Sequence, residues 1–288
     1  MKDIPISKRV IVMRQKSRKR KIVISVLVLV LSISFLGLLA YFSFHPKVTV
    51  DRVVVVGNRI IDKKEIEDSV LETIKGKYLY IFSKSNFLLI PQKKVYNKLL
   101  SDFPRIEKLS VEKQDSKTLI VDLSERTGVY LYCGVKVPEI SKDIGSNCYY
   151  VNKDGFIFDK APYFSGSIYF KFYKDLKNDS VLGLQVLEKE DFKKMTSFID
   201  GLIDLSFKPN YIIMDSNDQY ELYLNHKPLM TNPKILIKSD SDLSVLFGNI
   251  ESSMKKDEFK NEINSKYDKL LYIDLRFKNK VLYKFNDE

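Results

Sequence analysis

IVISVLVLVLSISFLGLLAYFSF, residues 22–44, decides how this 288-residue chain is built. The stretch is 23 residues long and contains no charged side chain. A helix rises about 1.5 Å per residue, so this length spans about 34 Å, and the hydrocarbon core of a bilayer is roughly 30 Å thick. The sequence therefore predicts a transmembrane helix over residues 22–44.

A cleaved signal peptide is the alternative interpretation of this segment. A signal peptide has an apolar region of about 7–15 residues, followed by a cleavage site made of small residues. The far end of the segment instead reads YFSFHP over residues 41–46, where Tyr41 and Phe42 suit a membrane interface and Pro46 ends the helix. This end favours an uncleaved membrane anchor.

Basic residues are concentrated ahead of the apolar stretch. Residues 1–21 contain nine of the 48 Lys and Arg residues and one of the 37 acidic residues, whereas the other 267 residues carry a net charge of only +3. A domain that binds nucleic acid carries a basic surface on its folded body, so this distribution argues against nucleic-acid binding. By the positive-inside rule, we expect residues 1–21 to form a cytoplasmic tail and the residues after the helix to lie outside the cytoplasm. Whether the basic side chains also bind anionic lipid or only set the orientation stays open.

Cys133 and Cys148 are the two cysteines of the chain, and both lie in the part expected to be exported. In an oxidising compartment an even number of cysteines indicates a disulfide bond. Closing a loop of about 15 residues is worth roughly 3 kcal/mol of stability. Two unpaired, reduced thiols are the alternative, and the spacing is not that of a CxxC redox motif.

Sequence motifs of catalysis and of metal binding are missing. The chain contains no GxSxG, HExxH, P-loop or GxGxxG pattern, and its two histidines, His45 and His226, are far apart in sequence. We therefore predict no catalytic residue, no metal site and no cofactor. The 35 Tyr and Phe residues, without a single Trp, are more typical of a protein core than of a glycan-binding platform.

The segment after the helix, residues 47–126, shows strand and helix patterns in a definite order. The predicted elements are a strand over 48–56 that ends at Gly57-Asn58, a helix opening at Asp62, a helix opening at Pro91, and strands over 106–113 and 118–124. Asp62 and Glu65 are arranged as a capping box. Apolar stripes run along the two helices, at Ile66, Val70 and Ile74 and at Val95, Leu99 and Phe103. A small sheet with both helices on one face would bury every stripe.

Residues 127–288 predict a second, β-rich module that also contains helices. Its predicted strands cover 129–132, 148–151, 156–158, 211–214, 220–224, 234–238, 271–277 and 281–285. Asp154-Gly155 marks a hairpin between the second and third of these strands. Helices are predicted over 188–205 and from Asp240 or Ser241 to about Phe259, while 159–187 receives no assignment. The chain is thus predicted to be α+β, with one transmembrane helix ahead of two exported modules.

Local motifs of the first module resemble those of a POTRA domain, a small β-α-α-β-β fold. The motifs are Val53-x-Val55-x-Gly57-Asn58, Phe103-Pro104-Arg105-Ile106 and Thr118-Leu119-Ile120-Val121-x-Leu123-x-Glu125-Arg126. A lone POTRA domain directly after one transmembrane helix is similar to the FtsQ/DivIB family of bacterial cell-division proteins. Tyr150-Val151-x-x-Asp154-Gly155-x-Ile157-Phe158 and the segment from Leu271 to Val281 also resemble this family, in which the POTRA domain leads into a β domain.

The resemblance implies a non-catalytic scaffold at the division septum that helps to control wall-synthesis enzymes. Its partners would be small bitopic proteins, FtsB-like and FtsL-like, and the FtsB-like chain would add a segment to the terminal strands by β-augmentation. The matching positions run from Tyr272 to Lys284. The partner-binding residues implied there are Tyr272, Ile273, Arg276, Phe277, Asn279, Val281 and Tyr283.

Alternatives stay open for this segment and for the function. An ordinary core strand would also explain any one of these residues, and Arg276 is either an inward ion-pair partner of Asp274 or a surface contact. The edge of the first module's sheet is a second, weaker candidate for docking. For the whole chain, an exported wall-binding or envelope-assembly protein is the alternative function, and a membrane-anchored hydrolase is the third.

Overall fold

The computed structural model describes residues 8–137, 148–164, 167–215, 218–225 and 232–286, with side chains from Arg18 onward. It divides into two compact units, Met1–Glu125 and Arg126–Glu288. The fold is mixed α+β, with one apolar helix near the N-terminus and a sheet-rich body. His226 and the first residues of the basic tail lie outside the described residues.

The N-terminal helix α1 runs from Lys8 to Ser43. Its segment Arg18–Ser43 contains an 18-residue window with a mean hydropathy of 3.0, and no residue of that window is buried. This segment is long and apolar enough to span a membrane, which is consistent with a single-pass membrane protein. The helix ends one residue before the predicted boundary, and it begins within the basic tail. Ser32 is accommodated because its hydroxyl donates to the carbonyl of Val28 at 2.9 Å.

The first unit continues with strands and helices in the predicted order, plus one short hairpin that the sequence analysis missed. The elements are β1 (Arg52–Val56), α2 (Lys63–Ile74), β2 (Lys77–Tyr78), β3 (Phe82–Ser83), α3 (Gln92–Asp102), β4 (Ile106–Lys113) and β5 (Thr118–Glu125). The main sheet has the order β1-β5-β4, with β1 parallel and β4 antiparallel to β5. The hairpin β2–β3 forms a separate small sheet.

The core of the first unit lies between this sheet and its two helices. Ile66 and Val70 of α2 are buried together with Val95 and Leu99 of α3. They pack against alternate residues of the strands, of which Leu119 is fully buried. Asp62 caps α2 as predicted, accepting a hydrogen bond from the N–H of Lys64 at 2.7 Å. Burying each of these apolar side chains contributes about 1.5–3 kcal/mol, so the predicted stripes account for the contact between helices and sheet.

Two boundaries in this unit differ from the prediction. The first strand begins at Arg52 rather than at residue 48, because Pro46–Val48 form a 3₁₀ turn. The carbonyl of Val48 then accepts from Phe87, so this segment pairs with the loop after β3 instead of with β5. Pro91 stands just before α3 rather than as its first residue.

Glu125, at the end of β5, holds the loop that follows β1. Its Oε1 accepts hydrogen bonds from the backbone N–H groups of Arg59, Ile60 and Ile61 at 2.6, 2.9 and 3.1 Å. The side chain is only 4% exposed, and Arg105 lies 4.0 Å from Oε2. Burial raises the pKa of this carboxyl, but the three N–H donors and Arg105 outweigh it and the pKa is lowered.

We predict that Glu125→Ala lowers the free energy of unfolding by about 3 kcal/mol, since three N–H groups lose their acceptor. Urea unfolding of the detergent-solubilised chain measures this. Glu107→Ala, at an exposed position of β4, is the control and should change the free energy of unfolding little. The ionised form is the stabilised one, so the contribution is complete above the ordinary pKa of 4.5 and is lost as pH falls through the lower folded value. An unchanged acid-unfolding curve in Glu125→Gln would contradict this account.

The second unit is built on one large sheet. Its elements are β6 (Tyr130–Tyr132), β7 (Tyr149–Val151), β8 (Ile157–Lys160), β9 (Lys171–Lys174), α4 (Lys189–Asp204), β10 (Pro209–Met214), β11 (Gln219–Leu224), β12 (Lys234–Lys238), α5 (Leu243–Met254), α6 (Asp257–Ser265), β13 (Leu270–Asp274) and β14 (Leu282–Phe285). The nine strands have the order β14-β13-β12-β11-β10-β9-β6-β7-β8. The three helices contribute to a core on one face of this sheet.

Aromatic packing fixes the centre of this core. Phe172 of β9 is fully buried, and its ring lies 5.2 Å from that of Phe192 in α4 and 5.7 Å from that of Tyr130 in β6. Gly155, in the β7–β8 hairpin, has a φ of +86°, and a Cβ there would lie 2.7 Å from the ring of Phe192. A glycine is therefore required both by the turn and by the close approach of α4.

Two predictions for the second unit are corrected, and a strand is found in the segment that received no assignment. The unassigned segment 159–187 contains β9, which lies in the middle of the sheet between β6 and β10. The helix expected to run to about Phe259 is two helices, α5 and α6, and Asp242 is the cap of the first, accepting from the N–H of Ser244 at 2.9 Å. The last strands are shorter than predicted, because the strand expected over 271–277 ends at Asp274 and the next begins at Leu282.

A disulfide bond joins Cys133, just after β6, to Cys148, just before β7. Both cysteines are buried, in a small apolar cluster with Leu131, Ala161 and Tyr173. The bond closes a loop at a sequence separation of 15, at the point where two adjacent strands pair. It therefore holds together the ends of two strands that have only three residues each.

We predict that replacing both cysteines, Cys133→Ser with Cys148→Ser, lowers the free energy of unfolding by roughly 3 kcal/mol through loop-closure entropy. The urea midpoint of the variant measures this change. On a denaturing gel, reduction should retard the unmodified chain and leave the variant unaffected. Identical mobility of the unmodified chain with and without reductant would contradict the bond.

Candidate docking edge

Strand β14 lies at one edge of the nine-stranded sheet and pairs with β13 in antiparallel register. Just after the strand, the N–H of Asn286 donates to the carbonyl of Lys269 at 2.7 Å, on the β13 side. Because main-chain groups alternate along a strand, Leu282 and Lys284 also point theirs toward β13. Tyr283 and Phe285 then direct their N–H and C=O groups to the open edge, which is a template for an added strand.

The side chains of β14 divide between the two faces of the sheet. Tyr283 and Phe285 pack against the helix-side core. The Tyr283 hydroxyl donates to Glu262 of α6 at 2.7 Å, and the Lys266 ammonium lies 5.5 Å from the centre of the Phe285 ring. Leu282 and Lys284 are exposed on the opposite face. The edge strand is thus fixed from one side and accessible from the other.

Arg276 forms an ion pair with Asp274 where β13 ends. Its guanidinium donates to both carboxylate oxygens, at 2.9 Å from Nε and 2.6 Å from Nη2, and its backbone N–H donates to Oδ1 at 3.0 Å. A further bond at 3.1 Å reaches Gln219 of β11. Burial raises the pKa of Asp274, but Arg276 outweighs it and the pKa is lowered. Of the two interpretations left open for Arg276, the structure has the ion pair.

The other implied partner residues differ in how accessible they are. Ile273 is fully buried at 0% exposure, so its side chain belongs to the core and we leave it out of the docking surface. Tyr272 on β13 and Val281 before β14 are half-buried. Phe277 is 51% exposed in the connection between the two strands, and Asn279 occupies a left-handed turn position with a φ of 58°.

Leu282, Lys284 and Phe285 belong to the same edge, but the sequence analysis did not single them out. The alternation of Leu282, Tyr283, Lys284 and Phe285 indicates which side chains share a face. It does not indicate that the strand is an edge strand, because that depends on the order of all nine strands. We define the docking edge as Phe277 together with Leu282–Phe285.

A second polar cluster lies on the face of the sheet opposite the helices. Lys234 Nζ lies 2.7 Å from Glu221, and the Tyr223 hydroxyl donates to the same carboxylate at 2.7 Å. Burial opposes ionisation of Glu221, but Lys234 and Tyr223 outweigh it and its pKa is lowered. Burial and the bond to Glu221 raise the pKa of Tyr223. Both pKa values move away from neutrality, as in a structural ion pair rather than a general acid–base pair.

The part of the chain that the structure describes has no metal-binding cluster. Within it, no three His, Cys, Asp or Glu side chains are placed so that they could hold an ion.

Comparison of the sequence with protein-family models gives no match. Comparison with curated proteins also gives no match. The residues of this chain and the geometry of the docking edge are therefore the basis from which we infer a function.

We predict that Arg276→Ala lowers the free energy of unfolding by about 3 kcal/mol, because it leaves the buried Asp274 carboxylate without its cation. Arg276→Lys should recover only part of the loss, since a lysine cannot donate to both carboxylate oxygens in the same fork. Lys278→Ala, at an exposed position two residues on, is the matched control. Equal urea midpoints for Arg276→Ala and Lys278→Ala would contradict a stabilising role for the pair.

Proposed function

We propose that this chain is a bitopic scaffold of the bacterial division machinery, of FtsQ/DivIB type. It would dock FtsB-like and FtsL-like membrane proteins through its extracytoplasmic strand edges and so help to control septal wall synthesis. The observation that carries the proposal is the docking edge, where Tyr283 and Phe285 direct main-chain groups outward. Apart from Phe285, which is one residue beyond, the edge falls within the segment Tyr272–Lys284, which resembles the partner strand of this family.

The arrangement of the first unit supports the POTRA part of the proposal. Its two helices contribute to the core against a β1-β5-β4 sheet, and the order along the chain is β-α-α-β-β once the small hairpin is set aside. The family-like motifs fall at its element boundaries: Gly57-Asn58 follows β1, and Phe103-Pro104-Arg105 joins α3 to β4. Glu125 of the third motif holds the loop after β1 through three backbone N–H groups.

Docking would proceed by addition of a partner strand to β14. Its main chain would bond to the N–H and C=O groups of Tyr283 and Phe285, which supplies affinity without a requirement for particular side chains. Specificity would come from the exposed Leu282 and Lys284, which favour an apolar and an acidic side chain two residues apart on the partner. Phe277 would extend the apolar contact beyond the end of β14.

The membrane anchor would determine where this scaffold lies in the cell. A span by α1 with the basic tail on its cytoplasmic side would display the rest of the first unit and the whole second unit outside the cytoplasm. Partners that are themselves bitopic would then meet the docking edge while held in the same membrane, which raises their effective concentration. The septal location forms part of this proposal.

An exported wall-binding protein is the second candidate, and the tyrosines opposite the helices are the feature that favours it. Tyr211 and Tyr223 stack at 4.6 Å, with Tyr173 edge-on to Tyr211 at 5.7 Å. These rings pack on one another, and burial raises the pKa of Tyr173 to about 12. Since their faces are already in contact with other rings, we rank this function second.

We predict that the double variant Leu282→Asp with Lys284→Asp reduces capture of a coexpressed FtsB-like/FtsL-like pair by about tenfold or more, because charge replaces the apolar and basic side chains at the edge. Phe277→Lys should reduce capture in the same direction. Lys160→Asp is the matched control, because Lys160 is exposed on β8, the strand at the opposite edge of the same sheet.

Affinity capture from detergent-solubilised membranes measures the effect. Full capture by the double variant would remove the docking edge from the proposal. Sedimentation of the chain with isolated cell wall, together with undiminished capture, would favour the wall-binding candidate.

A further inference from the structure

The last residue of α1 is hydrogen-bonded to the first unit. Ser43 Oγ accepts from the N–H of Ser83 in β3 at 3.0 Å, and the Ser43 carbonyl accepts from the side-chain amide of Asn86 at 3.1 Å. All three residues are buried. The end of the membrane helix is therefore joined to the β2–β3 hairpin and to the loop that follows it.

The length of α1 fixes the depth of Ser43. Counted from Ile22, about 20 residues of helix cross a hydrocarbon core of roughly 30 Å, and each head-group layer adds about 5–7 Å. Ser43 then lies in the head-group layer, only about 3 Å beyond the hydrocarbon edge. Groups that are hydrogen-bonded to Ser43 must lie at the membrane surface as well.

Two apolar loop tips are attached at this point, and both are exposed. Leu79 and Tyr80, between β2 and β3, are 82% and 95% exposed. Tyr80 is three residues from Ser83, a distance of about 10 Å along an extended chain. In the next loop Leu88 is 80% exposed, and its N–H donates to Asn86 Oδ1 at 3.0 Å, so the amide that holds Ser43 also holds this tip.

The backbone of the first tip has a conformation that is unfavourable for the two large side chains that it carries. Leu79 and Tyr80 have φ angles of 47° and 61°, in the left-handed region that favours glycine or asparagine. A hairpin tip in water would more often carry such residues. Large apolar side chains held in this conformation and pointed outward indicate a contact outside the chain.

We infer that Leu79, Tyr80, Ile81, Leu88 and Leu89, which we call the membrane-contact patch, insert into the surface of the same bilayer that α1 crosses. The bilayer is the occupant because the two loops that carry the patch are hydrogen-bonded, through Ser83 and Asn86, to Ser43, the residue at which the spanning helix ends. The neighbouring side chains fit a head-group layer: Lys77 lies 5.2 Å from the centre of the Phe44 ring, and Lys84 lies 5.7 Å from that of Tyr78. Lysines beside aromatic rings are typical of this layer.

The consequence is a second attachment of the first unit to the membrane. One helix alone leaves a domain free to tilt about the end of that helix, whereas the patch and Ser43 together hold one side of the unit against the bilayer. The inference rests on the membrane anchoring in the proposed function, and it is independent of the docking edge and of any division partner.

The chain contains no tryptophan, so one introduced indole reports on its own position. Tyr80→Trp places it in the patch, and Ile60→Trp is the control, at an exposed position beyond the C-terminal end of β1. The patch is linked to the other end of that strand, where the N–H of Val50 donates to the carbonyl of Ser85, in the segment between the two tips. Both full-length variants are reconstituted into vesicles of phosphatidylcholine and phosphatidylglycerol, with or without bromine on the acyl chains. Flotation of the vesicles checks the anchor separately for each variant.

The patch predicts that Tyr80→Trp emits at a shorter wavelength than Ile60→Trp and loses most of its emission to brominated lipid, while Ile60→Trp is unquenched. Adding Leu79→Asp and Leu88→Asp to Tyr80→Trp should shift the emission back toward that of the control. Water-like, unquenched emission from a floating Tyr80→Trp chain would overturn the inference. Quenching that persists with both aspartates present would also overturn it, since the indole alone would then explain the contact.

Discussion

The need of every backbone N–H and C=O group for a hydrogen-bond partner governs how both units of this chain meet their surroundings. In lipid the need is met within α1, whose helix bonds its own main chain and so allows Arg18–Ser43 to cross an apolar medium. At the end of that helix, the Ser43 carbonyl accepts a hydrogen bond from the side-chain amide of Asn86, and the Ser43 hydroxyl accepts one from the N–H of Ser83. In the second unit, β14 is the last strand of its sheet, so the N–H and C=O groups of Tyr283 and Phe285 face the open edge.

In the function that we propose, the two units have different tasks. In the first unit, the part that follows α1 is hydrogen-bonded to the end of that helix, and Glu125 holds the β1–α2 loop by accepting hydrogen bonds from three N–H groups. The second unit is held by aromatic packing around Phe172 and by the Cys133–Cys148 bond. It carries the docking edge on a strand whose inner side chains, Tyr283 and Phe285, are fixed against the core. A rigid edge binds a partner strand at a lower entropic cost than a mobile one.

Sequence patterns predicted the helices and caps that are determined by residues close to one another in sequence. The apolar run of α1, the cap at Asp62 and the stripe of α4 each lie within one stretch of sequence, and the structure has a helix at each place. Strand β9 was missed because it has four residues, Lys171–Lys174, and both strands that flank it are distant in sequence. The end of β13 was placed too late, since Asp274 and Arg276 resemble strand residues but bond to each other and end the strand. That Tyr272–Lys284 receives a partner strand stays a prediction from the resemblance. Which side chains of this region are accessible, Leu282 and Lys284 rather than Ile273, follows only from the packing of the sheet.

Residue-resolved amide hydrogen exchange on β14, with and without an FtsB-like/FtsL-like pair, tests the central claim most directly. The amides of Leu282 and Lys284 point toward β13, so they should be slow to exchange in both states. The amides of Tyr283 and Phe285 should exchange rapidly in the free chain and become protected when the partner strand is added. Tyr283 and Phe285 amides that exchange equally fast in the free and the bound chain would contradict docking at this edge.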